Sequence, residues 1–208
     1  MNRLFTLLAV IVLAACGAPA AQSQPQNQTG PRPAVTQEAV FAGGCFWCVE
    51  HDFKSIPGVA EVLSGYTGGH TPDPTYQDVI TETTGHYEAV RVTFDPARIT
   101  YRQLVDRYWR LIDPTDAGGQ FCDRGSSYRS AIFASPAQKA DAEASRAALV
   151  ASNRLTAPVV TPVLPLARFY PAEEYHRDYA KKNAIRYNAY RAACGRDARL
   201  RQVWRSAP

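Results

Sequence analysis

The stretch of this sequence best suited to chemistry is Gly43-Gly44-Cys45-Phe46-Trp47-Cys48, which spaces two cysteines C-x-x-C. The same spacing occurs in thiol–disulfide redox pairs and in halves of zinc sites. At a helix N-terminus the thiolate of the first cysteine would be stabilised by the helix dipole and by free backbone N–H groups. The stretch therefore predicts either a reactive thiol or a metal ligand at Cys45.

The rest of the chain does not complete a zinc site. A structural zinc site needs four ligands, usually with a second close pair, whereas Cys122 and Cys194 stand alone and the four histidines form no pair. His86-Tyr87-Glu88 matches the H-x-E of zinc deaminases, but in those enzymes the C-x-x-C follows H-x-E, and here it precedes it. We therefore expect no metal.

Glu88 is the second candidate for chemistry, because its strand is otherwise apolar on one face. Residues 86–94 alternate in polarity, with Val90, Val92 and Phe94 on one side. Counting back by two places Glu88 on that same side. A carboxylate in such a position is either badly placed or functional, and burial there would raise its pKa.

Two large aromatic side chains, Phe46 and Trp47, lie between the two cysteines. Their bulk predicts an apolar cup beside the sulfur, suited to a small apolar group. A reactive thiolate, an apolar cup and a buried acid together suit methionine sulfoxide. The cup would hold the methyl group, the thiolate would attack the sulfur and the acid would protonate the oxygen. The alternative is a thioredoxin-like thiol–disulfide oxidoreductase that uses the Cys45–Cys48 pair.

Five motifs, in this order, closely resemble those of peptide methionine sulfoxide reductases of the A type. They are Gly44-Cys45-Phe46-Trp47, Ser64-Gly65-Tyr66-Thr67-Gly68-Gly69, Gly85-His86-Tyr87-Glu88-Ala89-Val90, Tyr128-Arg129-Ser130-Ala131-Ile132 and Pro171-Ala172-Glu173-Glu174-Tyr175-His176. The resemblance runs from Ala39 to about Tyr190. It implies reduction of the S epimer of methionine sulfoxide, free or in oxidised peptides and proteins, with a thioredoxin-like reductant and without a metal or organic cofactor.

The resemblance also implies a role for each matching residue. Cys45 would attack the sulfur and become a sulfenic acid, and Glu88 would donate a proton to the sulfoxide oxygen. The other matching residues are Phe46 and Trp47 for the methyl cup, Tyr66 and Tyr128 for hydrogen bonds to the oxygen, and Asp123 for positioning the substrate. His86 and His176 are interpreted as structural, with His176 near the site.

How the sulfenic acid is resolved is less determined by the sequence. Many relatives carry two cysteines in a Gly-rich C-terminal tail, whereas this chain has only Cys194 there. The resemblance favours Cys194 as the resolving thiol, on a mobile tail. Cys48, at i+3 from Cys45 and roughly 5–6 Å away at Cβ, is the alternative. Cys122, beside Asp123, is interpreted as a small buried hydrophobic residue, with a third thiol at the site as the alternative.

The pattern of elements predicts an α+β fold, a ferredoxin-like α/β sandwich with a mixed sheet and an irregular C-terminal tail. The expected order is strand 38–42, helix 45–56, strands 59–66 and 86–94, a helix opened by a capping box at Thr100 and Gln103, strand 128–133, helix 135–151, strand 159–163 and helix 173–193.

The N-terminus predicts an exported lipoprotein. A basic residue at Arg3 precedes a twelve-residue apolar run, residues 4–15, which suits a signal-peptide core but is short for a membrane span. Leu13-Ala14-Ala15-Cys16-Gly17 resembles a bacterial lipobox, with Cys16 as the lipidated residue; an ordinary secretory signal is the alternative. We expect a signal peptide over 1–15, a flexible tether over 16–36 and the catalytic domain over 37–208, anchored to a membrane and facing the periplasm.

The overall charge excludes one class of partner. The chain of 208 residues has a net charge of +4 with no Lys/Arg block, so nucleic acid is not expected. We expect a monomer whose partners are oxidised proteins, a thioredoxin-like reductant and, through the lipid, a membrane.

Overall fold

A computed structural model describes residues 35–205 of the chain. The predicted signal peptide over 1–15, Cys16 and all but the last two residues of the tether over 16–36 lie outside the described residues. Within the described range, no helix has the length and apolarity needed to cross a membrane.

The described residues contain eight strands in two sheets. The strands are β1 Gln37–Gly43, β2 Val59–Thr67, β3 Tyr87–Phe94, β4 Gly119–Gln120, β5 Asp123–Arg124, β6 Ser130–Ala134, β7 Val163–Pro165 and β8 Phe169–Pro171. Six of them form one sheet in the order β7-β6-β1-β3-β2-β8, in which only the β6–β7 pair is parallel. The short β4–β5 hairpin stands apart.

The helices connect and cover these strands. They are α1 Phe46–Lys54, α2 Tyr76–Val79, α3 Tyr101–Trp109, α4 Lys139–Ala151, α5 Tyr179–Lys182, α6 Ala184–Ala193 and α7 Arg196–Arg205, with 3₁₀ turns at Ser126–Tyr128 and Glu174–His176. The order β1-α1-β2-β3-α3-β6 and the central sheet order β6-β1-β3-β2 form a ferredoxin-like α+β sandwich, so the predicted fold class is confirmed.

Helix α1 begins where the sequence changes from a strand to a three-to-four spacing of apolar residues. Gly44, at φ +81°, makes the turn out of β1, and a Cβ there would lie 2.7 Å from Gln120 Cβ. Cys45 is the N-cap, and the predicted stripe of Phe46, Val49 and Phe53 is buried. The dense packing under α1 fixes the position of Cys45 above the sheet.

Strand β3 carries Glu88 into the interior as the alternation predicts. Val90, Val92 and Phe94 are buried, and Glu88 on the same face is 2% exposed. β3 lies between β1 and β2, with Glu88 opposite Tyr66 in the β2 register. The start of β3 therefore lies close to the turn between β1 and α1, which brings Glu88 to the first turn of α1.

The C-terminal third of the chain differs from the sequence prediction. The helix predicted over 173–193 is divided, because Asp178 adopts a left-handed conformation, φ 54°, between the 3₁₀ turn and α5. The strand predicted at 159–163 lies at Val163–Pro165. The expected irregular, mobile tail after Cys194 is wrong for residues 196–205, which form α7.

Arg196 attaches α7 to the body of the domain. Its side chain is 2% exposed, and its guanidinium donates hydrogen bonds to Gly43 O at 3.2 Å and Leu111 O at 2.7 Å. The same group lies 4.5 Å from the Phe121 ring centroid and 3.5 Å from Asp52 Oδ2. Because a buried guanidinium needs such partners, these contacts hold the segment after Cys194 in place.

Candidate active site

The predicted chemical residues converge on one small cavity of about 90 Å³ at the N-terminal end of α1. Its lining consists of Cys45, Phe46, Trp47, Tyr76, Glu88, Asp123, Tyr128 and Tyr190. Residues from α1, α2, β3, β5, the turn at 126–128 and α6 therefore meet here, although the sequence separates the first from the last by more than half the chain.

Cys45 is the N-cap of α1 and is 7% exposed. Burial, a hydrogen bond with Cys48 and the nearby Glu88 raise the pKa of the Cys45 thiol. The amides of Cys48 and Val49 bond to the Cys45 carbonyl. Burial therefore opposes the stabilisation of a thiolate that the helix terminus was predicted to give.

Cys48 lies one turn along the same helix and is buried as well, at 2% exposure. The hydrogen bond from Cys45 lowers the pKa of Cys48 to about 7, with further contributions from the positive charges of Arg196 and Arg191. Both cysteines are free thiols. Because neither is accessible to another protein, they are poorly placed to exchange disulfides with protein partners, as a thioredoxin-like enzyme would.

Glu88 is the buried acid of the cavity. Its carboxyl Oε2 accepts a hydrogen bond from the Phe46 amide at 2.9 Å. Burial raises the pKa of Glu88 to about 8, opposed by that one hydrogen bond and reinforced by Asp123. Glu88 is therefore protonated at neutral pH, in the state that can donate a proton.

Phe46 and Trp47 form an apolar wall, as predicted. The Trp47 ring stacks on Tyr179 with centroids 3.7 Å apart and planes at 6°, and its Nε1 donates to His176 Nδ1 at 3.0 Å. The Phe46 ring lies 4.9 Å from that of His176. His176 is thus near the site and orients both aromatic side chains, so the interpretation of a structural residue near the site agrees with the geometry.

Tyr66, predicted to bond the substrate oxygen, does not line the cavity. It is completely buried in β2, and its hydroxyl donates to Glu173 Oε2 at 2.8 Å. The other Glu173 oxygen accepts from the amide of Tyr76 at 2.8 Å, and Tyr76 lines the cavity. The Tyr66 hydroxyl is thus bonded to a carboxylate 107 residues away, while its ring lies 5.8 Å from that of Phe46.

Tyr128 and Asp123 lie in the cavity as predicted. Burial raises the pKa values of the Tyr128 and Tyr76 hydroxyls, so both remain donors. Asp123 Oδ2 accepts a hydrogen bond from the Tyr190 hydroxyl at 2.7 Å, and that hydroxyl also interacts with the Cys45 thiol. The walls therefore supply hydroxyl donors around a buried acid and a thiol.

The interpretation of Cys122 as a buried hydrophobic residue is wrong. Cys122 is exposed, in the tight turn between β4 and β5, and forms a disulfide with Cys194 at the C-cap of α6. Cys194, favoured from the sequence as the partner of Cys45, is bonded to Cys122 in this structure instead. A hairpin turn has no neighbours to cover a side chain at its tip, which explains the exposure.

Sequence reasoning missed two residues of the cavity, Tyr76 and Tyr190. Tyr76 opens α2 after the Thr75 N-cap, whose capping box with Asp78 was a readable helix signal. Tyr190 lies in the helix predicted over 173–193, where its spacing from Tyr179 and Tyr187 indicates only a packing face. The direction in which these helices present their tyrosines depends on contacts with Glu173 and Asp123, which no local pattern encodes.

The described residues offer one group with metal-ligand spacing, Cys122, Asp123 and Cys194. Both of its sulfurs are joined in the disulfide, and a disulfide sulfur is not the thiolate that metals require.

A ferredoxin-like sandwich with a buried thiol beside a protonated carboxyl has the groups that an oxidoreductase acting through cysteine on a small sulfur group requires. Comparison with known proteins agrees. Residues 37–208 match the family model described as peptide methionine sulfoxide reductase. The chain is 59% identical over 206 residues to peptide methionine sulfoxide reductase MsrA 2 of Caulobacter vibrioides, covering 98% of this chain and 99% of that protein.

Two further relatives support the assignment. MsrA of Listeria welshimeri is 52% identical over 170 residues, covering 81% of this chain and 96% of that protein. The solved structure of reduced Mxr1 from Saccharomyces cerevisiae matches with a TM-score of 0.68 and 31% identity, covering 74% of this chain and 88% of that one. The chain belongs to the peptide methionine sulfoxide reductase family, so the predicted family and enzyme class are confirmed.

Proposed function

We propose that the enzyme reduces the S epimer of methionine sulfoxide by attack of Cys45 on the substrate sulfur. The observation that carries this proposal is the meeting of Cys45, the protonated Glu88 and the aromatic wall in one cavity of about 90 Å³. The substrate methyl group packs on Phe46 and Trp47, which leaves the sulfur facing Cys45. A cavity of this size, with an aromatic wall on one side and polar groups on the other, selects a methyl sulfinyl group over bulkier ends.

The sulfoxide oxygen takes its proton from Glu88. At neutral pH this carboxyl is neutral because burial holds its pKa at about 8. Tyr76 and Tyr128 donate hydrogen bonds to the same oxygen as negative charge develops on it. The net step converts the sulfoxide and the Cys45 thiol to a thioether and a Cys45 sulfenic acid.

Cys45 must lose its proton before it attacks, since the thiolate is the nucleophile. Cys48 is hydrogen-bonded to Cys45 and has a pKa of about 7. Because Cys48 is the stronger acid of the pair, transfer of the Cys45 proton to the Cys48 thiolate is uphill in the resting enzyme and is completed as Cys45 attacks the substrate sulfur. In this proposal Cys48 acts as the base for Cys45 and remains the alternative resolving thiol.

The oxidised enzyme is returned to its thiol form by an external reductant of the thioredoxin class. The cellular role that follows is repair of methionine residues in oxidised proteins. We also propose that the chain is exported and held at a membrane by lipid on Cys16, in a periplasmic position; the support for this is the sequence of residues 1–17.

The test is turnover on separated S and R epimers of a methionine sulfoxide peptide, with dithiothreitol as reductant. The protein is the full chain carrying Cys16→Ala, which removes the extra thiol. Methionine should form from the S epimer and not from the R epimer. Equal turnover of both epimers, or reduction of a protein disulfide without any methionine formed, would contradict the proposal.

A further inference from the structure

Tyr128 reaches the substrate cavity from a short turn whose own hydrogen bonds stay local. It is the last residue of the 3₁₀ turn Ser126–Tyr128 and lines the cavity. The Tyr128 amide bonds to the Gly125 carbonyl at 3.3 Å, and Arg129 Nε bonds to the Ser126 carbonyl at 3.2 Å. Both bonds join residues within 125–129. They close the turn but do not fix where it lies relative to the other walls of the cavity.

Glu82 holds this turn from a segment 44 residues earlier in the chain. Its Oε2 accepts hydrogen bonds from Ser126 Oγ at 2.5 Å and from the Ser127 amide at 2.9 Å. Its Oε1 accepts a third bond, from Ser127 Oγ at 2.6 Å. Because Ser127 is 1% exposed, its amide and hydroxyl are shielded from water and depend on this carboxylate for an acceptor.

The Glu82 carboxylate is ionised and has no cation paired with it. Burial acts to raise its pKa, but the hydrogen bonds from Ser126 and Ser127 outweigh burial and lower the pKa below the usual 4.5. None of the salt bridges among residues 35–205 includes Glu82. Hydrogen bonds to an ionised acceptor are stronger than those between neutral groups. The three bonds therefore make a firm link between Glu82 and the turn.

The backbone at Glu82 has a conformation that residues with side chains rarely adopt. Its φ of +63° lies in the left-handed region, which is uncommon for residues other than glycine. On the other side of the contact, a Cβ added at Gly125, itself at φ +125°, would lie 2.6 Å from Glu82 Oε1. An unfavourable backbone conformation of this kind points to a use for the side chain that it positions. Here that use is the close approach of the carboxylate to the turn.

The segment that carries Glu82 also carries Tyr76. Helix α2 begins at Tyr76 and ends at Val79, and the Glu82 amide bonds to the Val79 carbonyl at 3.1 Å. Tyr76 is fixed separately, because its amide donates to Glu173 Oε1 at 2.8 Å. The Tyr76 hydroxyl also interacts with the Tyr128 hydroxyl. Glu82 thus ties the turn of Tyr128 to a segment whose own position is already set.

We propose that Glu82 is a positioning residue for reduction of the sulfoxide: its carboxylate holds the Tyr128 turn so that the Tyr128 and Tyr76 hydroxyls converge on one substrate oxygen. This inference rests on the proposed function, in which both phenols donate to that oxygen. Glu82 does not line the cavity, so it acts through Tyr128. Without the carboxylate, Ser127 keeps a buried amide and hydroxyl without an acceptor, and the turn rearranges to satisfy them. Tyr128 then loses its alignment with the charge that develops on the oxygen.

The test compares Glu82→Ala with Glu82→Gln in the full chain carrying Cys16→Ala. The reduced enzyme is mixed with the S epimer of a methionine sulfoxide peptide, and formation of the first methionine per chain is timed by rapid quench. At saturating peptide, Glu82→Ala should slow this step about tenfold, because a displaced donor weakens the transition state. The peptide concentration that gives half the maximal rate should change less than about twofold. Glu82→Gln keeps an oxygen acceptor for Ser127 and should stay within about threefold of the unaltered chain.

A double-mutant cycle with Tyr128→Phe measures whether Glu82 acts through the Tyr128 hydroxyl. In the Tyr128→Phe background, Glu82→Ala should slow the step by less than about threefold, because the hydroxyl that Glu82 positions is already gone. Asp106→Ala is the matched control. Asp106 Oδ1 accepts a hydrogen bond from the buried Ser145 Oγ and joins α3 to α4, neither of which contributes a residue to the cavity. This control should lower the melting temperature and leave the rate within about twofold.

Two results would overturn the proposal. One is a rate in Glu82→Ala that matches the unaltered chain, which would mean that the turn needs no such contact. The other is an equal loss of rate with and without the Tyr128 hydroxyl, which would mean that Glu82 acts on the fold as a whole. If Glu82→Ala folds poorly, Ser127→Ala, which removes one of the three bonds, takes its place in the cycle with the same expected coupling to Tyr128. Failure of the proposed function is distinct, because the unaltered chain would form no methionine, or Tyr128→Phe alone would leave the rate unchanged.

Discussion

The Phe46 amide donates a hydrogen bond to Glu88 Oε2 across 2.9 Å, joining the first turn of α1 to the start of β3. This bond is the only one that the described residues give to the Glu88 carboxyl, and no cation lies among the causes of its pKa shift. A buried carboxyl with one hydrogen-bond donor and no nearby positive charge stays neutral. The hydrogen bond therefore holds Glu88 beside Cys45, and Glu88 is in its protonated form.

We expect Glu88→Gln to slow the sulfoxide-reducing step by about 10²–10⁴-fold, the usual range for loss of a general acid. The amide can still accept from the Phe46 N–H, so the geometry is retained while the proton is lost. Single-turnover kinetics against pH provide the measurement. The wild-type rate should fall above pH 8, where Glu88 ionises, and the variant should lack that decline. An unchanged rate would assign the proton to Tyr76, Tyr128 or solvent.

The same substitution should stabilise the fold at high pH. Folding raises the pKa of Glu88 from 4.5 to about 8. Below pH 4.5 Glu88 is protonated in both the folded and the unfolded protein. Between pH 4.5 and 8 it ionises only in the unfolded protein, so the free energy of unfolding of the wild type falls as the pH rises. Glu88→Gln removes this pH dependence. Near pH 8 its free energy of unfolding should therefore exceed that of the wild type by up to about 5 kcal/mol, at ~1.4 kcal/mol per pKa unit. Urea unfolding at pH 4 and pH 8 measures it.

Glu50 provides the matched control, because it is equally buried but fully paired. It is 3% exposed and accepts from Lys54 Nζ at 2.5 Å, Ser64 Oγ at 2.6 Å and the Asp178 amide at 2.9 Å. Glu50→Gln should destabilise the fold by roughly 1–3 kcal/mol at pH 8, since it leaves Lys54 without one partner. If Glu88→Gln and Glu50→Gln changed the free energy of unfolding at pH 8 in the same direction, the proposed difference between the two carboxyls would be wrong.

Sequence reasoning recovered what local periodicity encodes and missed what long-range contacts decide. The alternation in β3 placed Glu88 correctly, and the Thr100–Gln103 capping box forms as expected. The hydrogen bond from the Tyr66 hydroxyl to Glu173, far along the chain, could not be predicted from local sequence. The Cys122–Cys194 bond spans 72 residues, and no spacing rule connects a hairpin turn to a helix end at that distance.

Tyr76→Phe and Tyr66→Phe should have different effects. Tyr76 lines the cavity, so removing its hydroxyl should lower kcat about tenfold or more through loss of a donor to the developing oxyanion. Tyr66 contacts only Glu173 through its hydroxyl, so its variant should keep kcat within about threefold and lose about 1 kcal/mol of stability. Steady-state kinetics with thermal unfolding separate them, and the reverse pattern would restore Tyr66 as the substrate contact.

Cys45→Ser should abolish methionine formation. A neutral hydroxyl in the same buried position is not ionised near neutral pH, so the nucleophile is lost. The measurement is turnover with dithiothreitol, with Cys48→Ala as the comparison, because it keeps the nucleophile and removes the proposed base, so its turnover should be slowed and not abolished. Activity of Cys45→Ser above a few per cent of wild type would assign the nucleophile to another residue.

The last expectation concerns Cys16, which lies outside the described residues. The lipobox-like sequence predicts that the mature protein is recovered in the membrane fraction and incorporates labelled fatty acid. Cys16→Ala should remove both the label and the membrane association, while turnover with dithiothreitol stays at the wild-type level, because the residues of the catalytic cavity all lie at or beyond Cys45. Label that persists in the variant would place the anchor elsewhere. Loss of turnover would instead make Cys16 a redox residue of the enzyme.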